Sequence, residues 1–196
     1  MTNTLIISYT PREGSNTKKI LDAYTKNVPE NVRTTEVSLA SEPPVLLDVT
    51  RTNAYIARNF MGQELTQEQQ TALQPLDAYK DQVLAADTIV LAYPMYNFSL
   101  PAAVKAWFDA IIQAGDTFHY TNEGPKGKLN DKQVVIISTS GGKYEKGSET
   151  AHMEHALSLA ILSFNFMGIT DITTIVADGA SDADHYQNPL DQAIDK

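Results

Sequence analysis

The sequence predicts a three-layer α/β sandwich around a five-stranded parallel sheet, and three observations predict it. Short β-rich apolar runs alternate with segments of helical periodicity along the chain. The runs at 87–93 and 133–138 are apolar almost without interruption, as strands are when helices cover both faces of a sheet. Each crossover between the five runs has room for a helix, which makes successive strands parallel and the connections right-handed.

Taken in order, Leu5-Ile6-Ile7-Ser8-Tyr9 is the first strand and breaks at Thr10-Pro11-Arg12-Glu13-Gly14. Ser15 then caps a helix with Ile20, Leu21, Tyr24 and Val28 on its apolar face, stopped by Pro29. Arg33 to Leu39 reads as the second strand. From Ala40 to about Gly62 the pattern weakens behind Pro43-Pro44 and reads as an irregular stretch, longer than an ordinary connection. A helix is predicted over Thr66 to Ala86, with Thr66 and Glu68 at its start and Leu73, Leu76, Tyr79, Val83 and Leu84 as its stripe. The third strand, Asp87 to Tyr93, is closed by Pro94. Pro101 starts a helix through Ala103, Val104, Trp107, Phe108, Ile111 and Ile112 that Gly115 ends. A loop carrying Phe118-His119-Tyr120 and Gly124-Pro125-Lys126-Gly127 leads to the fourth strand, Gln133 to Ser138. A helix from about Glu149 to Met167 and a strand over Asp171 to Ala177 complete the alternation, and the acidic stretch after Asp178 is expected to form a surface loop ending in a short helix. No repeat, low-complexity tract or linker divides the chain, so residues 1–196 are read as one domain.

Composition narrows the function. With no cysteine, a disulfide framework and a thiolate metal site are excluded, and redox chemistry would have to come from a bound cofactor. Met1-Thr2-Asn3-Thr4 lacks the basic region of a signal peptide and no apolar run approaches the roughly 20 residues of a membrane span, so a cytoplasmic address is expected. A net charge of −9 disfavours nucleic acid and anionic lipid as partners. His152, Glu154 and His155 read as a solvated helix start and not as a metal site, because no third ligand follows at fixed spacing. His119 reads equally as a substrate-orienting residue or as plain exposed loop.

In an open α/β sheet, ligands bind beyond the carboxyl ends of the strands where the strand order reverses. In the order 2-1-3-4-5, the loops after the first, third and fourth strands meet at that point. The first offers Ser15, Asn16 and Thr17 at a helix N-terminus, where free amides and the helix dipole favour a phosphate. It has no triphosphate-binding lysine, Gly127-Lys128 is followed by Leu129, and no G-x-G-x-x-G occurs, so a monophosphate held by hydroxyls and amides without a cation is expected. The second loop, Pro94-Met95-Tyr96-Asn97-Phe98, places a thioether and two aromatic rings where turn residues are usual, a surface suited to a flat heterocycle. The third, Thr139-Ser140-Gly141-Gly142, lets backbone amides approach a ligand closely. Alone, these are also an ordinary N-cap, a packed strand end and a turn; together they are far more specific.

At these residues the chain resembles the FMN-dependent NADH-azoreductase family, which is related to the NAD(P)H quinone reductases on the flavodoxin-like fold. Tyr93-Pro94-Met95-Tyr96-Asn97-Phe98 resembles the family's flavin platform, Thr117-Phe118-His119-Tyr120 with Gly124-Pro125 its segment beside the active site, and Phe166-Met167-Gly168-Ile169-Thr170-Asp171 its lead into the last strand. The resemblance implies that Ser15, Asn16 and Thr17 hold the FMN phosphate with Thr10 helping, that Pro94 and Met95 to Phe98 lie along the ribityl chain and ring, and that Thr139 to Gly142 meet the ring edge. It implies a homodimer whose second subunit completes the cleft, in part from the 40–62 stretch, with Phe60 and Tyr120 as substrate-contacting rings. It further implies a ping-pong cycle in which NADH or NADPH reduces the flavin and a quinone or azo compound reoxidises it, with no obligatory acid or base from the protein. The competing expectations are a flavodoxin-like electron carrier without its own small substrate and a non-catalytic interaction domain.

Overall fold

A computed structural model describes residues 2–179 of the chain, so the reading of the stretch beyond Gly179 lies outside the described residues. The elements are β1 (Asn3–Ser8), α1 (Asn16–Lys26), β2 (Arg33–Ser38), α2 (Val49–Asn59), α3 (Gln67–Ala85), β3 (Thr88–Pro94), α4 (Ala102–Ile111), β4 (Phe118–Thr121), β5 (Gly124–Gly127), β6 (Gln133–Thr139), α5 (Ala156–Phe166) and β7 (Asp171–Ala177). The main sheet runs β2-β1-β3-β6-β7 with every pairing parallel. With the small β4–β5 hairpin set aside, that is the predicted order 2-1-3-4-5.

Alternation along the strands divides the core between the faces of the sheet. Leu5, Ile7, Ile89, Leu91 and Ile136 point to one side, against Val83 of α3, Trp107 and Phe108 of α4 and Phe164 of α5. Ile6, Val90, Ala92, Ile137 and Ile175 point to the other, against Ile20 and Leu21 of α1. Lys132, only 7% exposed, enters β6 with its Nζ donating to the carbonyls of Leu84 (2.9 Å) and Ala86 (2.6 Å), so its charge closes the C-terminus of α3.

Several expectations are corrected. The 40–62 stretch contains α2, whose N-cap Asp48 accepts from the amide of Arg51 (2.9 Å). Its only buried residues are Ala54 and Ala57, while Val49, Ile56 and Phe60 form a stripe facing outward, so the periodicity that normally announces a helix was not that of a core face. The segment read as a loop around His119 is an antiparallel hairpin, β4 paired with β5. It packs on the turn before β7 so closely that a Cβ on Gly127 would stand 2.0 Å from the Gly168 nitrogen and 2.2 Å from the Met167 carbonyl carbon. α5 starts at Ala156, after a 3-10 turn over Ala151–Met153, because Glu154 accepts from the amides of Leu157 (2.6 Å) and Ser158 (3.1 Å) and so sets the helix start. α1 ends at Lys26, short of Val28, and Leu84 lies on the exposed side of α3 at 38%. Among the described residues no helix is long and apolar enough to cross a membrane.

Candidate cofactor site at the carboxyl edge of the sheet

The three loops converge. Pro11, Arg12, Ser15, Asn16 and Thr17 from the first, Pro94, Met95 and Tyr96 from the second, and Thr139, Ser140 and Gly141 from the third line one cleft of about 330 Å³. A second hollow of about 350 Å³, bounded by Tyr24, Val28, Thr88, Val135 and Thr173, opens toward the starting ends of the strands, away from all three loops.

In the first loop, Ser15 is the N-cap of α1, its Oγ accepting from the amide of Lys18 (3.3 Å). The amides of Asn16 and Thr17, in the first turn, have no partner within the helix and are available to an anion. Thr17 is 1% exposed and its hydroxyl lies 2.7 Å from that of Thr139, across the cleft floor. Arg12 also lines the cleft, a cationic residue beside the hydroxyls and amides expected there. Its position within the loop before the N-cap was the signal for it. Thr10 does not reach the lining.

In the second loop, Tyr96 and Ser99 exchange backbone hydrogen bonds, each 3.1 Å, around a two-residue turn in which Asn97 (φ 48) and Phe98 (φ 68) both adopt left-handed backbone. Asn tolerates this region; Phe does so at a cost of about 1 kcal/mol or more. The turn carries Asn97 and Phe98 outside the cleft's lining and leaves Met95 and Tyr96 within it. The Phe98 carbonyl accepts from the His155 amide (3.0 Å), its ring meets Tyr144 edge-on at 6.4 Å, and Tyr9 meets Tyr96 likewise at 6.0 Å. Behind the loop, buried Tyr93 donates to the Ala156 carbonyl (3.1 Å), and burial raises its pKa well above the usual phenol range.

In the third loop, the single hydroxyl proton of Ser140 lies between the Gly142 carbonyl (2.6 Å) and Asp178 Oδ1 (2.7 Å), while the Gly179 amide donates to the Gly142 carbonyl (2.9 Å). The loop is therefore pinned to the end of β7. Gly142 stands behind Gly141, outside the lining, where an added Cβ would meet the Tyr144 hydroxyl at 3.0 Å. Asp178 and Tyr144 were not among the predicted site residues; no local motif marks either.

Phe60 and Tyr120 come together elsewhere. Their rings are 6.2 Å apart, within a chain of aromatic contacts from Tyr55 (5.7 Å to Phe60) to Phe118 (5.5 Å to Tyr120) and Phe166 (4.7 Å to Phe118). Neither lines the cleft of its own chain, and both are more than half exposed, at 53% and 63%. α2 is latched there by Tyr55, which accepts from the Ala114 amide (2.9 Å), by Asn59, which donates to the Ala114 carbonyl (2.7 Å), and by a bidentate Arg58–Asp77 pair (2.6 and 2.9 Å). Burial pushes the Asp77 carboxyl up, but hydrogen bonds and charge from Arg58, with Lys80, outweigh it and hold it below the usual carboxylate range. Glu154 is committed to capping α5, and no acidic or histidine cluster suited to a metal occurs among the described residues.

The model of the flavodoxin-like fold family matches residues 2–196. A curated FMN-dependent NADH:quinone oxidoreductase from Brevibacillus brevis is 35% identical over 173 residues, covering 86% of this chain and 82% of the relative. The chain belongs to the flavodoxin-like FMN-dependent NADH:quinone oxidoreductase family. Another curated member, from Azospirillum brasilense, is 44% identical over 122 residues, a stretch covering 62% of this chain and only 58% of that relative's length. Among solved structures, an FMN-dependent NADH-azoreductase from Bacillus anthracis in complex with FMN superimposes with a TM-score of 0.87 at 28% identity, over 100% of this chain and 97% of that one. This family member therefore shares its fold with a protein solved with FMN, and its own cleft has the composition such a ligand needs: free amides of a helix N-terminus at one end, a thioether and an aromatic ring along one wall, and a glycine on the other.

Proposed function

We propose that this chain is an FMN-dependent NAD(P)H oxidoreductase that reduces quinones and azo compounds. The observation that carries the reading is the meeting, in one cleft, of the free first-turn amides of α1 with the Met95–Tyr96 wall and the Gly141 backbone. FMN held in this cleft would supply the reversible two-electron chemistry that links a reduced nicotinamide to the acceptor. The chain's own residues bind and orient. The amides of Asn16 and Thr17, the Thr17 hydroxyl and the Arg12 guanidinium hold the phosphate. Pro94, Met95 and Tyr96 flank the ring system, and the backbone amide of Gly141 stabilises negative charge at its edge. Asn97 and Phe98, fixed by the left-handed turn, form the rim over which substrate enters. A cysteine-free chain that folds as one domain and relies on a reduced nicotinamide fits the cytoplasm.

Phe60 and Tyr120 serve the substrate from a second copy of the chain. On the outer face of α2, Val49 (77% exposed), Ile56 and Phe60 fall at i, i+7 and i+11, and Leu46, Met61 and Tyr120 extend the apolar patch. Burial of that patch against a second copy is the interface this reading requires. Val49→Asp places a carboxylate in the first turn of α2, where the helix dipole welcomes it. It is expected to leave the monomer folded and convert the dimer to monomer on size-exclusion chromatography, with turnover falling at least about tenfold; an unchanged dimer would remove this face from the interface.

The decisive test is the visible spectrum of the purified protein, recorded anaerobically before and after NADH and then a quinone. Flavin bands that bleach with NADH and return with quinone, and steady turnover with both present, are expected; a simple electron carrier would not sustain that turnover. A protein that acquires no flavin band when FMN is added would overturn the reading.

A further inference from the structure

We propose that Thr139 is a positioning residue for the phosphate end of the cleft, acting through the hydroxyl of Thr17 and not at the flavin ring. The inference rests on the FMN reading above and concerns how the site distinguishes a phosphorylated flavin from an unphosphorylated one.

Thr17 and Thr139 are 122 positions apart in sequence, yet their hydroxyl oxygens stand 2.7 Å apart and both residues are almost fully buried, at 1% and 4% exposure. This is the only side-chain hydrogen bond either residue makes among the described residues. The Thr139 carbonyl also accepts from the Met95 amide (2.7 Å). Thr139 is thus bonded to the first loop by its side chain and to the second by its backbone, while beginning the third.

Each hydroxyl carries one proton, and one hydrogen bond between them uses one of the two. If Thr17 donated, it would present only lone pairs to the cleft, beside the free amides of Asn16 and Thr17 that draw an anion there. If Thr139 donates, Thr17 keeps its proton for the anion, and accepting a hydrogen bond makes that O–H a stronger donor. A phosphate at the α1 N-terminus selects the second arrangement. The proton of Thr139 goes to Thr17 Oγ1 and the proton of Thr17 to a phosphate oxygen, so Thr139 fixes the polarity of the pair without touching the ligand. Riboflavin, which has no phosphate, does not engage the pair.

The test compares dissociation constants of FMN and riboflavin, measured by quenching of flavin fluorescence on the full chain freed of flavin. Thr139→Val keeps the shape and removes the hydroxyl. It is expected to weaken FMN about 5- to 20-fold while leaving riboflavin within about twofold, the loss appropriate to one hydrogen bond serving a charged group. Thr139→Ser restores FMN affinity to near that of the parent, and Thr139→Ala, should the valine not fold, shows the same selective loss. Equal weakening of both flavins, no weakening of either, or a serine variant as weak as the valine would overturn the inference. A parent protein that binds neither flavin defeats the FMN reading itself, and one that binds both equally defeats the phosphate site and the inference with it. Both outcomes are visible before any variant is made.

Discussion

Asn16→Asp is expected to move stability and cofactor affinity in opposite directions. Asn16 is the first residue of α1, and its Oδ1 accepts from Lys19 Nζ at 3.2 Å. A carboxylate there meets the positive end of the helix dipole and gains about 0.3–1 kcal/mol of stability. The same carboxylate stands beside the proposed phosphate. Two like charges about 6 Å apart at an effective dielectric near 20 repel by roughly 2–3 kcal/mol, so FMN should bind about 30- to 150-fold more weakly. The Lys19 ion pair offsets little of this, because exposed pairs contribute about 0–1 kcal/mol. Riboflavin should bind the variant as it binds the parent. Thermal melting and flavin titration of the same samples check both halves; a variant that loses riboflavin equally would move the phosphate away from Asn16.

Gly127→Ala should be the most damaging methyl group that can be added to the β4–β5 hairpin. The new Cβ would overlap backbone atoms of Met167 and Gly168, and backbone cannot swing aside as a side chain can. Overpacking against yielding neighbours costs about 1–3 kcal/mol, and here about 3 kcal/mol or more is expected. For a chain of this size that lowers Tm by roughly 6–12 °C. Relief by displacing the hairpin would shift Tyr120 away from Phe60, so turnover should fall more steeply than FMN affinity. A variant melting within a degree or two of the parent would mean that the two glycine backbones can part freely.

The five strands of the main sheet were legible to within two residues at either end, because continuous apolar runs such as 88–93 are nearly free of competing interpretations. α2 was not. Its sequence, VTRTNAYIARN, opens with β-branched and polar residues of modest helix propensity, and its apolar stripe faces away from its own core. The hairpin was missed for a related reason: β4 and β5 are four residues each, and β5 carries two glycines and a proline, which read as turn chemistry when the packing against Gly168 is unseen. In the site, loop positions followed from topology, so the convergence of residues 15–17, 94–96 and 139–141 was foreseeable. Which side chain within each loop faces inward was not. The left-handed turn that swings Phe98 to the rim, and the bonds that turn Ser140 toward Asp178, depend on residues far away in sequence.

That last contact has a consequence for biosynthesis. Asp178 and Gly179 follow the final described strand, and they are what the 139–142 segment is fastened to. As the chain leaves the ribosome, β1, α1, β3 and β6 can assemble the phosphate corner early, but residues 140–142 lack their anchor at Ala177, Asp178 and Gly179 until β7 has joined the sheet. Cofactor loading is therefore an event of the finished polypeptide, and nascent chains stalled before residue 178 should capture flavin poorly even where most of the sheet has formed.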